Sequence, residues 1–147
     1  MSCILIIKGI DFNVERFLEN FIDNPYKKHL KGEKRAFKRK GKPDIYESSG
    51  CQFDLSKADF NEFEKQRNEA IHFLKKNYNE LRKLQEYGIK ENEVPVIGFG
   101  IENQMADFWC QTEYLEPELL KLAGELNIGI EISLYHPAIE DDETNDK

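Results

Sequence analysis

The chain predicts an α/β fold of the α+β kind, a two-layer sandwich whose mixed, mostly antiparallel sheet carries its helices on one face. Three observations lead there. In residues 118–135, Leu119, Leu120, Leu122, Ala123 and Leu126 fall at helical spacing, and a tight turn follows at Asn127. Ile128, Ile130, Ile132 and Leu134 then alternate with Gly129, Glu131, Ser133 and Tyr135, the period of a strand. A strand with one wholly aliphatic side needs a second layer to bury it. Residues 3–22 make a strand–helix unit of their own, and further alternating runs are joined by short, hairpin-like links. With no internal repeat and no linker, residues 1–137 read as a single domain.

The elements follow in order. Residues 3–9, CILIIKG, are apolar enough for a strand inside the sheet, covered on both faces. Asp11 or Asn13 caps a helix with Val14, Phe17, Leu18, Phe21 and Ile22 on one stripe. Asn24-Pro25 closes it, because the residue before proline avoids the helical region. Gly32 and Gly41 bracket a strand at 34–39, read as an exposed hairpin or sheet edge. In residues 50–55, Cys51, Phe53 and Leu55 point inward, Gln52 and Asp54 outward. Ser56 with Asp59 three residues on predicts a helix start, and the periodicity from Phe60 to Leu84 predicts two helices, 57–76 and 78–87, stopped by Gly88.

Residues 93–102, EVPVIGFGIE, predict another strand with Pro95 near its start. Ile97, Phe99 and Ile101 share one face; Val96, Gly98, Gly100 and Glu102 share the other, where the two glycines leave bare backbone open to close approach. Alternation of Phe108, Cys110 and Thr112 with Trp109, Gln111 and Glu113 predicts a short further strand. Glu116-Pro117 opens the last helix, with proline in its favoured first turn. Residues 138–147 read as a disordered acidic tail.

Charge is segregated along the chain. Residues 27–42 hold nine of the 21 lysines and arginines and one of the 28 acids, so the −7 chain is a −15 body bearing a +8 segment. Lysine-rich edges discourage edge-to-edge aggregation. A content of 39% hydrophobic and 33% charged residues fits a globular protein with a charged surface rather than a disordered one. No apolar run approaches the roughly 20 residues of a membrane span, and CILII is too short for a signal-peptide core. The expected address is a bacterial-type cytoplasm. Cys3, Cys51 and Cys110 are odd in number and widely spaced, so they predict three small buried hydrophobes rather than a disulfide framework or a zinc site.

The stretches KGEKRAF, SSGCQFDLSKADF, QRNEAIHFLKKNYNELRKL, VIGFGIE and ELLKLAGELNIGIEISLY resemble a family of small bacterial α/β proteins. The resemblance covers about residues 30–135. It implies a fold and carries no activity, cofactor or catalytic residue to this chain.

Motifs for chemistry are sparse. His29, His72 and His136 have no neighbour at metal-ligand spacing, GFG does not continue as GxGxxG, and there is no GxSxG. No cofactor or metal is expected. Two constellations remain. The outward sheet residues Asp54, Glu102, Glu131 and Tyr135, with Trp109, form a candidate partner-binding face, and its carboxylates are also the residue types of a hydrolytic acid pair. Lys34, Arg35, Lys38, Arg39 and Lys40 with Phe37 have the composition of a nucleic-acid grip, though the acidic body repels phosphates. The leading expectation is a non-enzymatic protein-binding module of the immunity type, which neutralises a toxin. A nucleic-acid-binding accessory protein acting through residues 34–42 and a carboxylate hydrolase are the alternatives. An exposed edge strand leaves both monomer and homodimer open.

Overall fold

The computed structural model describes residues 1–37, 40–105 and 109–136. Strands β1 (Cys3–Gly9), β2 (Lys27–His29), β3 (Ser49–Asp54), β4 (Val96–Glu102) and β5 (Gly129–Tyr135) join in one sheet in the order β2-β3-β1-β4-β5. β1 lies antiparallel to β3 and β4, β2 antiparallel to β3, and β4 parallel to β5. The sheet is therefore mixed and mostly antiparallel, as its sequence predicts. Its most apolar strand is central.

Helices α1 (Val14–Glu19), α2 (Phe63–Lys76), α3 (Tyr78–Leu81) and α4 (Pro117–Glu125), with a 3-10 turn at Leu84–Tyr87, lie on one face. Strand alternation dictates which face. Leu5, Ile7, Phe53, Ile97, Phe99 and Ile101 are buried against Phe17, Leu74, Leu119 and their neighbours. The Phe21 ring sits 4.7 Å from Phe53 and Phe63 meets Phe99 edge-on at 5.4 Å, so aromatic side chains fill much of the space between layers. β4, α4 and β5 form the one parallel crossover, which requires a helix between its strands. Asn127 makes the predicted turn with φ 52°, a left-handed conformation that asparagine tolerates.

Local endings follow sequence chemistry. Asn13 caps α1, its Oδ1 accepting from Arg16 N–H at 3.1 Å. Gly88 stops the 3-10 turn at φ 94°, where a Cβ would stand 2.2 Å from the Asp11 carbonyl oxygen. Only glycine fits there.

Several expectations are corrected. The long helix begins at Phe63 rather than 57, because Ser56 and Lys57 are tied instead to Glu69, whose carboxylate accepts from the Ser56 hydroxyl and the Lys57 N–H. Asp59 N–H donates to the Glu62 carboxylate at 2.9 Å, placing the true helix entry there. Of the strand expected at 34–39, the described residues 34–37 form a single bridge, Lys34 with Ile45, and residues 38 and 39 lie outside the described residues, while Lys27–His29, unforeseen, pairs with β3. Residues 109–113 form no strand, and Phe108 lies outside the described residues. β4 already has β1 and β5 on its two edges, leaving such a strand no partner there. Cys110 is exposed, unlike Cys3 and Cys51. Ile22, Phe60 and Leu120 are exposed rather than core. The acidic tail lies outside the described residues.

Candidate functional site

With every helix of the described residues on one side, those residues leave the other face of the sheet open. Register assigns its residues: Gln52 and Asp54 from β3, Ile4, Ile6 and Lys8 from β1, Val96, Gly98, Gly100 and Glu102 from β4, and Glu131, Ser133 and Tyr135 from β5. The centre is apolar. Ile4, Ile6 and Val96 stand side by side, half-buried, beside the bare backbone of Gly98. A shallow cavity of about 170 Å³ lies over this strip, with Glu131, Ser133 and Tyr135 on its far wall.

Segment 56–62 wraps the end of the sheet and reaches this face. Ser2 donates its hydroxyl to the Ala58 carbonyl at 2.5 Å, and Glu102 N–H donates to the Phe60 carbonyl at 2.9 Å. Phe60 and Tyr135 thereby meet edge-on at 5.0 Å, directly over Gly100. A Cβ on Gly100 would stand 2.7 Å from the Phe60 ring, so the close approach that the sequence allowed is made by the chain's own aromatic pair.

Of the predicted partner-binding residues, Asp54, Glu102, Glu131 and Tyr135 do share this face, but the carboxylates do not converge. Asp54, Ile4, Gly98 and Glu131 lie in one cross-strand row. Three interstrand steps put the two acids about 14 Å apart along the backbone, wider than the carboxyl separations of glycoside hydrolysis. Glu102 lies next to the Glu131 strand but four residues along from the row. Asp54 is held by Lys57, Nζ to Oδ2 2.5 Å, with its second oxygen buried and unpartnered. Trp109 is fully exposed in the connection between β4 and α4 and belongs to no strand. Among the described residues no group of three or more His, Cys, Asp or Glu side chains could hold a metal ion.

The basic segment forms an arm beyond β2. Gly32 N–H to Tyr46 O at 2.8 Å, Tyr46 N–H to Glu33 O at 2.9 Å and Arg35 N–H to Asp44 O at 2.8 Å clip its two sides together. Tyr46 is its hub, with the His29 ring stacked at 4.1 Å and the Arg35 guanidinium 4.3 Å from the ring centre. Burial pushes the His29 pKa down, and Lys27, Arg35 and Lys8 add to that against an opposing Glu33. Phe37 is 83% exposed and Lys34 and Lys40 are exposed beside it; Lys38 and Arg39 lie outside the described residues. Arg35 also donates to the Pro43 carbonyl at 3.0 Å, so it serves the arm's own structure.

A second cavity, about 520 Å³, opens at the end of β4 between α2 and residues 110–114. Arg67 lies at it, its guanidinium 4.7 Å over Phe63 and its Nε 3.4 Å from Glu116 Oε2. That contact is an ion pair without hydrogen-bond geometry.

Compared with protein-family models, curated proteins and solved structures, the chain matches none. Sequence reasoning found the polar members of the open face from period-two alternation. It missed Phe60, assigned to the helix stripe, and Arg67. The signal for the apolar centre was present: β1 is apolar on both faces, which marks Ile4 and Ile6 as residues in need of cover.

Proposed function

We propose that this chain is a non-enzymatic protein-binding module of the bacterial cytoplasm, of the immunity type, that covers a basic surface of a toxin with the open face of its sheet. One observation carries the reading. β1 has the composition of a strand buried on both faces, yet the helices cover one only, leaving Ile4, Ile6 and Val96 half-buried on the other. Apolar positions with a glycine floor supply the water-excluding centre of an interface, and an aromatic such as Tyr135 at its margin supplies an anchor. Glu102 and Glu131, on a body of net charge −15, favour a basic partner and steer its approach. Free thiols at Cys3, Cys51 and Cys110 suit a reducing compartment.

Ile6→Asp and Glu131→Lys test this reading. Both side chains lie on the open face, so the fold is expected to survive. Each weakens capture of the partner by tenfold or more, the equivalent of about 1.4 kcal/mol. Equal capture by wild type and both variants would remove the open face from the interface.

The exposed Phe37 among cations favours a second reading, a nucleic-acid contact through the arm. Recovery of nucleic acid in place of protein in the same capture, lost on salt addition, would move the function there.

A further inference from the structure

The outer edge of β5 is unlike the other edge of the sheet. β2 is short and lysine-bearing, the usual protection of an edge. β5 has seven residues with no lysine, proline or bulge, and no strand among the described residues pairs with its outer side. Ile132 and Leu134, which strand periodicity marks for burial, are 38% and 58% exposed on the helix side. Helix α4 continues this uncovered strip. Glu118 and Glu125 bind Lys75 and Tyr78, so the flank of α4 carrying them faces α2 and α3. At 100° per residue, Leu120 falls on the opposite flank, toward the β5 edge, and Gly124 lies between it and the outward surface of the helix. Leu120 is 49% exposed there, and among the described residues no atom lies within 4 Å of a Cβ placed on Gly124.

From this we infer that β5 pairs antiparallel with β5 of a second copy of the chain, extending the two sheets into one across a two-fold axis at Ile132. Backbone direction and charge select the register. Gly129 N–H donates to the Pro95 carbonyl and the Tyr135 carbonyl accepts from Asn103, so the odd-numbered residues spend their backbone groups on β4. Ile130, Ile132 and Leu134 therefore turn their N–H and C=O groups outward. Three antiparallel registers pair at least two outward residues of each copy with outward residues of the other. Centring on Glu131 sets the two acids directly opposite each other, which is unfavourable. Centring on Ser133 leaves Ile130 opposite His136, beyond the strand. Centring on Ile132 pairs Ile132 with itself and Ile130 with Leu134, so that all three outward residues of each copy are bonded. Glu131 then faces Ser133, and Gly129 lies opposite Tyr135, whose ring stays on Phe60 over Gly100. The same operation lays α4 beside its copy along the Leu120–Gly124 flank and covers Ile132 and Leu134.

The partner is a second copy because this one strand satisfies itself, in hydrogen bonding, charge and side-chain size, without a separate sequence. Each copy carries a net charge of −7, so association strengthens as salt screens the repulsion. Binding of a basic toxin weakens with salt, so the two associations are told apart in one titration.

Sedimentation velocity from micromolar to near-millimolar protein, at low and moderate salt, tests the inference. Wild type is expected to move reversibly from monomer to dimer, more readily at moderate salt. Ile132→Pro removes an outward N–H without touching the β4 ladder, an allowed edge position for proline, and should leave a monomer. Leu134→Lys, which changes no backbone group, should do the same should proline disturb the strand. In a Cys110→Ser background, Ile132→Cys is expected to cross-link to itself under diamide, and Glu131→Cys much less. A wild type that stays monomeric throughout would overturn the inference. So would dimerisation unaffected in both edge variants, or cross-linking at 131 in preference to 132.

Discussion

Gln66 ties the buried core to the open face. It is fully buried on α2, and its Nε2 donates to the Asp59 and Gly100 carbonyls, each at 2.9 Å. One bond holds the segment that carries Phe60; the other fixes the strand beneath Phe60 and Tyr135. Gln66→Leu keeps the bulk and takes the donor from the Gly100 carbonyl, while the Asp59 carbonyl keeps the Glu62 N–H, so it is predicted to cost about 1–3 kcal/mol, read from urea unfolding. The periodicity of α2 could not reveal this role, because a glutamine on an apolar stripe looks the same wherever its partners lie. The cysteines make the same point. Burial raises the Cys51 thiol to about 12 and drives Cys3 higher still, as expected of small core residues. Cys110 escaped because its alternation is that of a strand, and alternation does not say whether an edge is free to pair with.

At the scale of elements, helix ends depended on contacts between distant segments. Ser56 and Asp59 satisfy the sequence signature of a helix start, yet Glu69, well inside α2, takes the Ser56 hydroxyl and the Lys57 N–H and holds residues 56–58 out of the helix. Gly88 was legible, and its constraint is severe. Gly88→Ala brings a methyl against the Asp11 carbonyl in a left-handed conformation, and is predicted to cost more than about 2 kcal/mol, measured as a lowered urea midpoint. The arm illustrates the opposite case. Its composition was plain, but its hub, Tyr46 between His29 and Arg35, joins residues 17 and 11 positions apart that no local pattern links.

The arm also carries a pH dependence. Burial holds the folded His29 pKa below its usual 6.5, so the arm's closed state binds the proton less readily than its open state. The stabilisation is present above that value and is lost as pH falls through the lowered folded pKa. Amide protection factors at Gly32, Arg35 and Tyr46 are predicted to fall between neutral pH and about pH 5. His29→Phe, which stacks without titrating, should flatten the profile. Protection that stays constant in wild type would contradict this account of the arm.

Across the whole molecule, the fold class and the assignment of residues to the two sheet faces were readable because period-two alternation survives tertiary packing. The parallel β4–β5 pairing through α4 was not assigned from the sequence, which placed a further strand between the two. Sheet order was not readable, since hydrophobic pattern fixes faces and not neighbours. The candidate face was half readable: its acids and tyrosine were named, while its apolar centre was hidden in a strand assumed to be covered twice. That assumption is where function enters, for the residues of β1 ask for a cover that the described residues do not supply.

The most direct measurement is capture from a lysate of the source cell with wild type, Ile6→Asp and Glu131→Lys side by side, at low and moderate salt, read by mass spectrometry. The account predicts one stoichiometric basic protein on wild type, weakened by salt and lost from both variants. A partner retained equally by all three proteins, or none on any of them, would contradict it.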